Sequence, residues 1–360
     1  LQLVDKNILM VSPQPWNHIF VSKHHFATHL AEASNKVYFL NPPSDVNKCD
    51  ITEYANLYTV HYRGFIAGLR FLPKLIQRAT MRWKFHQLQK ICKTKFDIVW
   101  SFDNSVFFDF SALPKSVYSI SHIVDWNQDF EFTKASKTAN LCLASSKFIE
   151  EKQKKYNLYS FNIGHGFNSI ENTEKKVNLN GNNKINCGYA GNLDIQYIDW
   201  EIINSLVGNF PHIDFHFAGQ WKSQANFNHL NNKPNFFYYG KIKAEELYSF
   251  YKKMDLLLLV YRYKEFPKQL ANPHKMMEYL GAGRMIVSSW TEQYAKSPVE
   301  KLIKMVRSPE DFISAFDEVQ SNVDFWNNED IRDSRIQFAQ LYTYENQINR
   351  IEKIIKNNSQ

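Results

Sequence analysis

The sequence predicts an α/β protein built from two successive parallel-sheet domains, and three observations predict it. At 360 residues the chain exceeds one ordinary core, and a hydrophobic content of 44% supplies material for two. Short continuous apolar runs alternate with amphipathic helical ones, the pattern of strands that helices cover on both faces. The alternation halts once, at a polar stretch, and then restarts.

Taken in order, "NILMVS" (7–12) is an apolar run of strand length, followed by the loop "PQPWNHIF" and helical periodicity through "KHHFATHLAEAS". "KVYFL" (36–40) is the next strand. A long basic helical region follows, and then come "FDIVWSF" (96–102), "SVYSIS" (116–121), "NLCLAS" (140–145) and "SFNIG" (160–164). "SIENTEKKVNLNGNNK" (169–184) has almost no hydrophobic pattern and reads as a linker. After it, "INCGYAGNL" is a strand entering a Gly-Asn turn, "DIQYIDWEIINSLVGNF" a helix, and "IDFHFAG" and "NFFYYG" strands. "KAEELYSFYKKM" is a helix and "DLLLLVY" a strand; "ANPHKMMEYLGAGRMIV" is a helix leading into the buried strand Met285-Ile286-Val287, and helices fill the rest. The expected domains are 1–168 and 185–340, joined by the linker 169–184, with a helix in 341–360 crossing back to the first domain. Two such units put a cleft between them, facing the carboxyl ends of the strands.

Four cysteines (Cys49, Cys92, Cys142, Cys187) lie far apart without metal-type spacing, which predicts buried reduced thiols in a cytoplasmic protein. No apolar run reaches the roughly 18 residues of a membrane span, and the start, with Asp5, does not read as a signal peptide. Net charge is +7, and between Tyr54 and Phe96 there is no acidic residue, while Arg63, Arg70, Lys74, Arg78, Arg82, Lys84, Lys90, Lys93 and Lys95 alternate with apolar and aromatic side chains. Segment 63–95 is either a solvated amphipathic helix or a face for an anionic membrane. No nucleic-acid motif accompanies the charge.

The most informative stretch is "ANPHKMMEYLGAGRMIV", 271–287. Asn272 fits an N-cap and Pro273 the first helical position, so a helix begins there with free N–H groups. Lys275 adds a full positive charge to that end, which suits a phosphate or diphosphate. Glu278 lies one turn on, about 4.5 Å along the axis and on the same face. There it is placed to accept hydrogen bonds from ribose hydroxyls; a plain surface Lys-Glu pair is the alternative.

"NPHKMMEYLGAGRMIVSS" resembles the NPxKxxEYLAxGxPVV signature of bacterial GT-B glycosyltransferases, the branch related to glycosyltransferase family 4 and to teichuronic-acid and exopolysaccharide transferases. Other segments are similar in order and spacing: "ILMVSPQPW", "VYFLNPP", "VYSISHIVDWNQ", "GHGFN", "GYAGNLDIQYIDWEII" and "FYYGKIKAEELYSFYKKMDLLLLVY". The resemblance implies two Rossmann-like domains with a nucleotide-sugar donor, UDP before GDP, held by the second. Glu278 would bind the ribose and Lys275 the diphosphate, with His274 and Asn272 lining the same pocket. Gly191 and Asn192 would let the backbone approach the donor, Tyr239 and Gly240 would begin the base-binding loop, and Arg262 would reach the phosphates.

On the acceptor side Asp125 matches the family's acidic position and is the first candidate for a general base, with His122 its neighbour. His165 and His18 are further cleft candidates, and His24 and His25 read as cap or surface residues. The chain departs from the pattern where many retaining members carry a sugar-contacting glutamate: that position is Leu270, and Glu265 is the nearest acid. No DxD pair, GxGxxG after an early strand, GxxxxGK[ST] or GxSxG is present, which disfavours a metal-diphosphate clamp, NAD, a P-loop kinase and an α/β-hydrolase. No cofactor is expected. The function implied is transfer of a sugar to a glycan or lipid-linked glycan by a cytoplasmic enzyme peripheral to the membrane. The rivals are a nucleotide-sugar epimerase and a non-catalytic sugar- or nucleotide-binding protein of the same shape.

Overall fold

The computed structural model describes residues 2–18, 20–126, 132–168, 177–295 and 297–357. The chain divides into two compact units, one running to Gly166 and resuming at Tyr344, the other Phe167–Thr343.

The first unit contains β1 (Asn7–Val11), α1 (Ser22–Glu32), β2 (Lys36–Leu40), β3 (Lys48–Ile51), β4 (Leu57–His61), α2 (Lys74–Cys92), β5 (Ile98–Ser101), β6 (Tyr118–Ile123), α3 (Thr133–Thr138), β7 (Leu141–Ala144), α4 (Lys147–Lys154) and β8 (Ser160–Asn162). Its strands lie in the order β3-β4-β2-β1-β5-β6-β7-β8, all parallel except the antiparallel edge pair β3–β4. β3 escapes the periodicity because "KCDI" is a half-exposed edge strand with no apolar run, while β4, not expected from the sequence, is interior and buried at Leu57, Thr59 and Val60. Alternate residues of β1 serve opposite cores. Ile8 and Met10 join Phe26 and Leu30 of α1 and Ile348 and Ile351 of the C-terminal helix, while Leu9 and Val11 join Phe85 and Leu88 of α2.

The second unit contains β9 (Ile185–Ala190), α5 (Trp200–Asn209), β10 (Ile213–Ala218), α6 (Gln224–Asn231), β11 (Phe236–Tyr238), α7 (Ala244–Lys252), β12 (Leu256–Leu259), α8 (Lys275–Gly281), β13 (Met285–Ser289), β14 (Lys304–Val306), α9 (Phe312–Gln320), α10 (Val323–Trp326) and α11 (Glu329–Gln340). Its parallel sheet has the order β11-β10-β9-β12-β13-β14. The chain then enters α12 (Tyr344–Asn357), which belongs to the first unit. Tyr344 is buried there against His25 and Phe26, and the space its ring fills exists because residue 166 is glycine: a Cβ at Gly166 would stand 2.3 Å from the ring.

Of the stretch read as a linker, 169–176 lie outside the described residues. The remainder is fastened to the second unit. The Asn183 amide donates to Asp214 (2.9 Å), the Asn180 N–H to the Tyr239 hydroxyl (2.8 Å), and Lys253 to the Val177 carbonyl. Cys142 and Cys187 are buried thiols, whereas Cys49 and Cys92 are half-buried and hydrogen-bond each other. Among the described residues no helix is long and apolar enough to cross a membrane.

Candidate functional site

In a parallel sheet, ligands bind outside the carboxyl ends of the strands where the strand order reverses. In the second unit that point lies between β9 and β12, since β10 and β11 extend one way and β13 and β14 the other. The edge there is built of bare backbone. Gly191 follows β9 and donates its N–H to the Ala218 carbonyl (2.8 Å); Gly219 follows β10 and donates to Gly240 (2.6 Å). Gly219 has a φ of +137°, and a Cβ on it would stand 1.6 Å from the Gly191 carbonyl oxygen, so only glycine fits.

Over this edge lies α8. Met276, Met277, Tyr279 and Leu280 are buried and anchor it, and the Tyr279 hydroxyl accepts the Ala190 N–H (3.3 Å) at the very end of β9. The outward residues are Lys275 and Glu278. Lys275 passes directly across Gly191, where a Cβ would lie 2.3 Å from its Cε, and its ammonium stands 5.8 Å from the Tyr189 ring centroid. Glu278 is fixed at both oxygens: the Tyr251 hydroxyl donates to Oε2 (2.9 Å) and His274 Nδ1 lies 3.3 Å from Oε1. Its side chain keeps 32% of its surface exposed. Burial raises the carboxyl's pKa, but the His274 hydrogen bond, the Lys275 and His274 charges and the Tyr251 hydrogen bond outweigh it and bring the group down to about 2. Each oxygen has one partner in the protein and retains acceptor capacity. A cation and a fixed carboxylate one turn apart, over backbone without side chains, suit a ligand with an anionic group beside hydroxyls.

The helix start differs from expectation. α8 begins at Lys275 with His274 as its N-cap residue, and no side chain caps it. Asn272, buried before the turn that Met276 N–H closes on the Pro273 carbonyl, is not the cap. With only two turns of helix, the positive charge here belongs chiefly to Lys275.

The other candidates of this unit are dispersed. Arg262 donates to the Ile198 carbonyl (3.4 Å) and pairs with Glu265 (3.6 Å). The Tyr239 hydroxyl meets His216 (2.9 Å) and the Asn180 N–H, on the 177–184 side of the sheet rather than over α8. Gly240 contributes the carbonyl that Gly219 uses, and Asn192 Oδ1 accepts from the Asp194 N–H (3.0 Å) in the turn after β9. Leu270 is buried in the core, so it supplies no acid.

In the first unit the order reverses between β1 and β5. Asp125 is exposed in the loop after β6. His122 is not a poised base: it is buried on β6 among Phe26, Trp100 and Phe102, its Nδ1 accepts the Trp100 indole N–H (3.3 Å), and burial lowers its pKa to about 3. His24 is likewise buried, accepting the Val21 N–H (3.2 Å), and is lowered to about 4 by burial. His165 is buried after β8, its carbonyl taken by Gln347, and His18 is exposed after β1. His25 stacks on Tyr344. Lys23, which no motif marks, is a charged group at this reversal, facing Asp103 and Asp125. It donates to Gln14, and burial lowers it to about 8 against the raising charges of Asp125 and Asp103. Tyr251 also went unmarked, because nothing in "ELYSFYKKM" separates it from the other aromatic residues.

Among the described residues no group of three or more His, Cys, Asp or Glu side chains is disposed to hold a metal ion. No protein-family model matches the chain, and no curated protein matches its sequence. Solved structures do match over the whole length. A glycosyltransferase from Rickettsia africae superposes with a TM-score of 0.70 at 11% identity, covering 99% of each chain. HepE from Anabaena, in complex with UDP and glucose, gives 0.64 at 13%, over 98% of this chain and 99% of the other. A Listeria monocytogenes protein assigned as a UDP-N-acetylglucosamine 2-epimerase gives 0.58 at 12%, over 98% and 96%. The fold is therefore GT-B, two Rossmann-like parallel α/β domains in one chain.

Proposed function

We propose that the chain is a glycosyltransferase that moves a hexosyl group from a nucleoside diphosphate sugar, UDP before GDP, to a glycan or lipid-linked glycan of a cell-surface polysaccharide. The observation that carries this reading is Lys275 and Glu278 on one turn of α8, above the glycine edge at the reversal of the second sheet. The diphosphate lies against Lys275, which meets the charge that grows on the leaving group as the glycosidic bond breaks. The ribose hydroxyls donate to Glu278, held ionised by His274 and Tyr251. A fold shared with a protein solved with UDP and glucose supports the choice of ligand. Asp125 is the general base if the reaction inverts the sugar, and orients the acceptor if it does not. The reaction needs no metal in this reading, and takes place in the cytoplasm.

The test is calorimetric titration with UDP, GDP, CMP and their sugars, followed by assay of nucleotide release. UDP binds wild type and binds Glu278→Gln about hundredfold more weakly, and UDP release from the sugar nucleotide rises with acceptor. An epimerase would change the sugar while it stays on the nucleotide; a binding protein would do neither. Equal UDP affinity in wild type and Glu278→Gln would sink the site.

A further inference from the structure

We propose that the outward face of α2, with the segment leading into it, docks on the surface of an anionic lipid bilayer. Segment 63–95 carries more apolar residues than the core uses. The inward stripe of α2 is Gln77, Met81, Lys84, Phe85 and Leu88, spaced as a core-facing helix requires. Another apolar set points to solvent: Phe71 is 93% exposed, Leu75 81%, Trp83 60%, Ile66 56% and Ile76 46%. Leu75 and Trp83 are eight positions apart, with exposed Ala79 between them, so they line one outer face; Phe71 ends the short 3-10 turn Leu69–Phe71 that leads into the helix. Leaving such a row in water is costly, and an apolar stripe on the solvent side marks an interaction surface.

The charges around the stripe identify the occupant. Some cations of the segment serve the fold: Arg78 pairs with buried Asp109 (3.2 Å), Arg82 donates to the Ala112 carbonyl (3.3 Å), and buried Lys84 donates to the Arg63 carbonyl (2.6 Å). Lys74, Lys90, Lys93 and Lys95 are exposed and have no such task. No aspartate or glutamate between residues 55 and 95 offsets them. Apolar and aromatic side chains flanked by lysines, on a 19-residue helix lying against its domain, fit the headgroup boundary: the lysines meet anionic phosphates while the apolar stems sink below them. A nucleic acid offers bases for Phe71 and Trp83 to stack on but leaves exposed Leu75, Ile66 and Ile76 without a partner. The surface lies in the unit that lacks α8, so this inference stands independently of the donor site.

The experiment is flotation with vesicles of phosphatidylcholine alone and of equal parts phosphatidylcholine and phosphatidylglycerol. Wild type floats with the anionic vesicles only, and flotation declines as salt is raised. Lys74→Gln with Lys90→Gln weakens partitioning about 25-fold, at about fivefold per lysine, and Leu75→Ser with Trp83→Ser abolishes it. These residues are exposed, so melting temperature and UDP titration stay at wild-type values, which separates loss of docking from loss of fold. Trp83 is the one exposed tryptophan of eight, so brominated lipids quench fluorescence in wild type and not in Trp83→Phe. Flotation with neutral vesicles, indifference to both double variants, or retention on heparin without flotation would each overturn the proposal.

Discussion

At the strand-order reversal of the second unit, Lys275 and Glu278 stand at the surface, the carboxylate bonded at both oxygens. At the matching reversal of the first unit, His122 and His24 are buried and neutral, and Lys23 is half-way to losing its charge at mildly alkaline pH. One topology thus carries two kinds of polar furniture. The difference follows from where each side chain projects. Glu278 and Lys275 lie on the outer face of a short helix whose inner face is apolar, so they keep solvent and charge. His122 lies on a central strand and His24 on the inner face of α1, where packing among aromatic rings suppresses ionisation. Fixed charge at a surface is suited to binding an ionic ligand, and the second unit alone has it in this arrangement.

The severest way to break that comparison is Glu278→Gln. It removes a charged acceptor of ligand hydroxyls, worth about 1.5–3 kcal/mol per bond, so UDP affinity falls about hundredfold by calorimetry. Asp125→Asn in the other unit leaves UDP affinity unchanged. A smaller effect is expected of Gly191→Ala, whose Cβ would meet the Lys275 side chain at 2.3 Å. The lysine is flexible and swings aside, so thermal unfolding shifts little while UDP affinity falls about tenfold through loss of one charge-assisted contact. Smaller again is Tyr251→Phe, which deletes the hydroxyl on Oε2 of Glu278. The carboxylate stays in place through His274, and affinity falls a few-fold, measured in the same titration.

The parts of this comparison were unequally legible. The alternation of strands and helices is written in apolar period and was readable for most strands. The edge strands β3 and β14 were not, because a half-exposed edge strand needs no apolar run, and the interior strand β4 was passed over beside the basic helical region. Lys275 and Glu278 were readable because helical spacing alone puts them on one face. Asn272 was misread as the cap: its residue type suits that role, but Pro273 and His274 form an extra turn before the helix. The surroundings of His122 were not legible either: β6 is covered on both faces, so the histidine is buried whichever way the pleat turns it, and spacing to Asp125 does not record that cover. Tyr251 and Lys23 act only through neighbours distant in sequence, which no local pattern records.

The smallest expected effect on turnover, and the one that sharpens the contrast most, belongs to His122. Its pKa is about 3 in the folded protein and about 6.5 when unfolded, so between these values the unfolded chain binds the extra proton. Stability from the neutral imidazole is therefore full above about pH 6.5 and is lost progressively as pH falls toward 3, at up to about 1.4 kcal/mol per pH unit. His122→Asn keeps an acceptor for the Trp100 indole and removes the titration, so urea midpoints recorded from pH 7 to about 4 fall less steeply in the variant than in wild type. The pH dependence of nucleotide release between about pH 5 and 8 is the same in both, because His122 is neutral throughout that range. A release profile that lost its acid limb in His122→Asn would make this histidine the base after all, and the first unit would then carry a working titratable group at its own reversal.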